Sequence, residues 1–166
     1  TLAFATNDDS VIAIHSDSGR RIFSSQIGDG IEGLDWTGNG NLLVWTRDRI
    51  WLLGPEGKAK WKYSPPPTVG VVGVASAEES GSEIAVVESG KTQSSAAIVG
   101  PGIKREVLFA VPGKLVDPTW SPSAEWLQVG WPDADQWGFL NRKEPDMIKA
   151  VAGVSTQFAP GSTSPA

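Results

Sequence analysis

Apolar segments begin at Leu42, Ile84 and Trp126, 42 residues apart each time, and Trp36 and Trp120 are separated by 84 residues, twice that spacing. A repeat of this length constrains the fold more tightly than composition does. Each unit is too small to bury its apolar face alone and must bury it on its neighbours. Placed side by side, LDWTGNGNLLVWTRDRIWLLG and PTWSPSAEWLQVGWPDADQWGFL share one plan. Each has a short strand with Trp, a turn of Gly, Pro, Ser or Asn, a strongly apolar strand, a polar turn, and a third strand. The apolar strands start at Leu42 and Trp126, and the third strands hold Trp51 and Trp137.

A fourth strand follows in each unit: AKWKY after GPEGK, and REVLF after GPGIK. The N-terminal SDSGRRIF aligns with GPEGKAKW, setting Gly19 against Gly57 and Phe23 against Trp61. Helical periodicity is almost absent. Short runs rich in Val, Ile, Phe and Trp recur instead between turn signals, among them TLAFAT, VIAIHS, NLLVWT, RIWLLG, EIAVVES, SAAIVG, EVLFAV, WLQVGW and QWGFL. That pattern predicts antiparallel hairpins in an all-β fold. Four strands in a period of about 42 residues predict a propeller blade. The expected fold is therefore a β-propeller or propeller fragment of four four-stranded blades, forming one domain over residues 1–160. Three blades cover about 31–66, 70–112 and 115–152. The fourth is composite, 1–26 plus 154–160, because Phe158-Ala159-Pro160 mirrors Trp120-Ser121-Pro122. Residues 161–166, in the run APGSTSPA, read as a flexible tail. A fragment or open array is favoured over a closed ring of four. The chain starts at Thr1 without Met and reads as trimmed, so any export signal or anchor is expected outside it.

PTWSPSAEWLQVGW resembles the TolB-type repeat, a tryptophan followed by Ser-Pro-Asp-Gly and an apolar strand; here Ser123 and Ala124 stand at the Asp and Gly positions. RIWLLGPEGKAKWKY and VIAIHSDSGRRIFSS resemble quinoprotein (PQQ-like) propeller repeats. These resemblances cover nearly the whole chain and imply propeller architecture. The TolB-type likeness implies an extracytoplasmic bacterial protein, periplasmic or at the cell surface. Function varies widely on this scaffold, so they imply no mechanism.

Composition narrows the partners. The net charge is −5 with no basic block, so the chain lacks the electrostatic footprint of a nucleic-acid binder. It has no cysteine, which excludes disulfides and thiolate chemistry. No run of about 18 apolar residues is present, so no membrane insertion is expected within this segment.

The individual motifs have structural readings. Seven of the eight tryptophans fall in strands and are expected to pack between blades; Trp131, at the end of a strand before Pro132-Asp133, is the one left open to a surface role. SGKT, at Ser89–Thr92, resembles the end of a phosphate-binding loop. It lacks the first glycine of that motif and a following helix, so it reads as a hairpin turn. His15 is the only histidine, too few for a triad or a zinc site. The acidic pairs Asp8-Asp9, Glu78-Glu79 and Asp133/Asp135 read as turn residues that accept backbone hydrogen bonds. Lys58, Lys60 and Lys62 alternate with Ala59, Trp61 and Tyr63, a solvated face backed by a buried one on an outer strand. SPPPT, at Ser64–Thr68, fits a link between blades.

No residue set converges as a catalytic, cofactor or metal site, and none is assigned. Trp131, Asp133 and Asp135 are the candidate surface contacts. The function expected is a non-catalytic protein-interaction or scaffold module with a protein partner. The alternatives are an accessory propeller of a hydrolase, lyase or quinone-dependent enzyme, and a structural spacer.

Overall fold

The computed structural model describes residues 1–28, 30–77, 81–144 and 147–152. The strands are β1 (Leu2–Ala5), β2 (Ser10–Ile14), β3 (Arg21–Gln26), β4 (Ile31–Trp36), β5 (Leu42–Thr46), β6 (Arg49–Leu53), β7 (Ala59–Tyr63), β8 (Gly70–Ser76), β9 (Ile84–Ser89), β10 (Gln93–Gly100), β11 (Ile103–Pro112), β12 (Val116–Trp120), β13 (Trp126–Trp131), β14 (Gln136–Asn141) and β15 (Ile148–Ala152). They form four antiparallel sheets in simple chain order: β1-β2-β3, β4 to β7, β8 to β11 and β12 to β15. These are four propeller blades, and their bounds follow the repeat. Among the described residues the first blade has three strands. The segment 154–160 expected to complete it, the tail 161–166 and the Glu78-Glu79 pair lie outside the described residues.

Strand alternation explains how the blades stack. In β5, Leu42 and Val44 face the first blade, while Leu43 packs with β9 of the third. In β9, Ile84 and Val86 face the second blade and Ala85 and Val87 the fourth. β10 divides likewise, Ala97 and Val99 to one side and Ala96 and Ile98 to the other. A strand buried on both faces reads as a continuous apolar run, which is why IAVV and AAIV do not alternate with polar residues. The result is three inter-blade cores. Each fully buried Leu, Ile or Val in them contributes on the order of 1.5–3 kcal/mol.

Pairing corrects the repeat register by one residue. Trp36 lies opposite Leu42 and Ser76 opposite Ile84, but Trp120 lies opposite Leu127. The equivalent of Leu42 in the fourth blade is thus Leu127, not Trp126, because the preceding turn is one residue longer. A one-residue slip exchanges the two faces of a strand. Trp137 accordingly takes the position of Ile50 rather than Trp51. Six tryptophans lie in or against inter-blade cores, Trp131 among them, whereas Trp126 and Trp137 belong to the outer face of the fourth blade.

The turns after β4 and β12 show the glycine of the repeat consensus at work. Gly40 has φ 76° and its N–H donates to the Thr37 carbonyl at 2.9 Å. Ala124 holds the same place with φ 54°, donating to the Ser121 carbonyl at 2.8 Å. The turn requires a left-handed residue, and in the fourth blade an alanine supplies it.

Candidate functional site

Two charged clusters lie at joints between blades, one reached by Tyr63 of the second blade and one joining the third blade to the fourth. Glu88, on β9, has a fully buried side chain. It accepts the Tyr63 hydroxyl of the second blade, the Ser95 hydroxyl at 3.3 Å and Arg105 Nε at 3.1 Å. Burial, reinforced by the hydrogen bond to Glu88, pushes the Tyr63 hydroxyl well above its ordinary range. The bond to Glu88 likewise raises Arg105. The carboxylate is therefore matched by a cation and two hydroxyl donors, the condition under which a buried charge is tolerated. Arg142, in the turn after β14, reaches back to Glu83 at 3.0 Å and Glu106 at 3.3 Å on the third blade. Between the first two blades, the Ser25 hydroxyl donates to the Gly57 carbonyl at 2.7 Å.

Trp131 and Asp133 meet at one spot. Trp131 Nε1 donates to the Pro112 carbonyl at 3.2 Å, and its ring stands edge-on to Phe109, 6.3 Å away. Asp133 Oδ2 accepts the Lys114 backbone N–H at 2.8 Å. Both grip the link from β11 to β12. Asp135 closes the same turn in a left-handed conformation, φ 52°, its N–H donating to the Pro132 carbonyl. Asp9 plays a related part, its Oδ1 accepting the Gly30 N–H at 3.0 Å. Ser89–Thr92 forms the tip of the β9–β10 hairpin, with the Gly90 N–H on the Gln93 carbonyl. His15 closes the β2–β3 turn through its backbone.

The sequence reading missed the cleft at the convergence of the first strands. β4, β8 and β12 run beside one another, with Trp120 Nε1 donating across to the Ala75 carbonyl at 3.3 Å. Each carries a bulge at a corresponding place: Glu32, Val72 and the Asp117-Pro118 step are the extra residues, and Glu32, Val72 and Asp117 are exposed. Bulges re-aim side chains and are frequent beside functional surfaces. A cavity of about 290 Å³ opens here, lined by Asp35 of β4, Val74, Ala75 and Ser76 of β8, and Pro118 to Pro122 of β12 and its turn. Its lining mixes a carboxylate and hydroxyls with an indole and two prolines. The only sequence signal for it was the interruption of otherwise apolar strands by Gly33, Gly73 and Asp117-Pro118.

No protein-family model matches the chain, and no curated protein does. Among solved structures it is similar to the β-propeller domain of Myceliophteria thermophila Cps50 (Swd1), with 14% identity over 92% of this chain and 52% of that chain, at a TM-score of 0.72. The C-terminal WD40 domain of Sif2 matches with 12% identity over 94% and 45%, at 0.65. BamB from Moraxella catarrhalis matches with 11% identity over 92% and 50%, at 0.59. The chain spans about half the length of these structures. At such identities the likeness is one of architecture, and it agrees with the stacking of the four sheets: the fold is a β-propeller fold.

Proposed function

We propose that the chain is a non-catalytic interaction module, carried by a bacterial protein outside the cytoplasm, and that it holds a protein partner at the cleft between β4, β8 and β12. The observation that supports this is the convergence of three blades on one open cleft. Asp35, Ser76 and Thr119, from the second, third and fourth blades, line a single cavity, on a frame held by the Tyr63–Glu88, Arg142–Glu83, Trp131–Pro112 and Asp133–Lys114 contacts. The TolB-type likeness of PTWSPSAEWLQVGW supports the compartment.

The test is retention of a partner from envelope extract by the immobilised chain, compared with a variant carrying Asp35→Lys and Thr119→Lys. A control is Lys58→Glu, on an exposed turn. Partner loss confined to the cleft variant is expected. Equal retention by the cleft variant, or turnover of a small substrate without any retained partner, would overturn the reading.

A further inference from the structure

The two end blades each present a face built to receive a blade. In the first blade, Leu2 lies opposite Ile14 and Phe4 opposite Ile12, repeating Leu42 opposite Leu53 and Val44 opposite Trp51 in the second. In the second blade those four residues are buried against the preceding blade. In the first, Leu2 is 55% exposed and Phe4 43% exposed. In the fourth blade, Trp137 lies opposite Val151 and Phe139 opposite Lys149, repeating Ile50 opposite Tyr63 and Leu52 opposite Trp61. Those second-blade residues form the face that packs on the third. Val151 is 55% exposed, and Trp137 lines a cavity of about 370 Å³ with Asp117, Thr119 and Gln128.

We propose that the fourth blade of one chain packs on the first blade of a second copy, and the reverse, closing a two-chain ring of eight blades. The contact continues an established one: within the chain the same kind of face meets the same kind of face three times. A head-to-tail contact made twice around a twofold axis closes without leaving an apolar face open. Eight blades fall in the usual propeller range of roughly 4–8.

The experiment is light scattering on the purified chain after size exclusion, with Phe4→Glu and Val151→Glu as variants. Both positions are exposed in one chain, so circular dichroism should show both variants folded. The expected result is twice the 17.6 kDa chain mass for the wild type and a single-chain mass for each variant. Four results would overturn the proposal. A wild-type monomer would show that the faces serve something other than a second copy. Sensitivity to Phe4→Glu alone, or to Val151→Glu alone, would show like faces pairing. A ladder of larger species would show that head-to-tail contacts do not close. A dimer indifferent to both variants would place the contact elsewhere.

Discussion

Glu88 is the residue whose environment dictates most. Its side chain is fully buried, so removing it takes the acceptor from the half-buried Tyr63 hydroxyl, while Arg105, with a side chain 31% exposed, turns to water. Glu88→Ala is expected to destabilise the fold by about 2 kcal/mol, measured by urea unfolding, because a charged acceptor of buried donors is lost. Tyr63 carries a sign that pH can read. Its folded pKa is raised, so its contribution is fully present below the unfolded value of about 10 and is lost as the pH rises beyond it. Tyr63→Phe should therefore cost about 1 kcal/mol at neutral pH. That deficit should shrink above about pH 10, where the unfolded tyrosine ionises and draws the wild type toward unfolding while the folded hydroxyl still holds its proton. Tyr63 is the only tyrosine, so tyrosinate absorbance follows it directly. A deficit constant from pH 8 to 11 would contradict the assignment. Ala124 points the other way. Its left-handed backbone penalises a Cβ, so Ala124→Gly should raise stability by about 0.5–1 kcal/mol.

At the scale of elements, the turn between β13 and β14 acts as a latch on the β11–β12 link. Trp131→Phe removes the bond to the Pro112 carbonyl, and Asp133→Ala the bond to the Lys114 N–H. Each is expected to cost about 1 kcal/mol. The double variant should cost less than the sum, since either loss frees the same short link. Strict additivity in a thermal-unfolding cycle would mean that the two contacts are independent. This element also shows where sequence reasoning reaches its limit. Strands β5, β6, β9 and β13 were legible because continuous apolar runs between turns have few other readings. β8 was harder, since GVVGVAS lacks the tryptophan that marks β4 and β12. In the sequence Trp131 stays open to a surface role because it precedes Pro132-Asp133, and the structure leaves it partly exposed. Its bond to Pro112, 19 residues earlier, depends on how two blades meet, which no local pattern encodes. The slip at Trp126 has the same origin, since an extra turn residue keeps the spacing but changes the face. The cleft left still less trace, because its lining comes from three separate units that converge only after the blades stack.

For the whole molecule, stability is carried by neighbour-to-neighbour cores and is therefore uneven along the chain. β9 and β10 are covered on both faces, with Ile84 to Val87 and Ala96 to Ile98 at zero exposure. β1 and β15 lie on end blades and carry the exposed Leu2, Phe4, Ile148 and Val151. In a stack of repeats each unit draws stability from the interfaces on either side, so a blade with one covered face opens more readily than a blade with two. Hydrogen exchange under native conditions should find the slowest amides in β9 and β10 and the fastest strand amides in β1 and β15. Closure of a two-chain ring would cover both end faces, so diluting the protein, or introducing Phe4→Glu, should speed exchange in β1 and β15 while leaving β9 and β10 nearly unchanged. Uniform exchange across the four blades, insensitive to concentration, would instead indicate that the chain opens as a single cooperative unit and that the inter-blade cores are not its weakest joints.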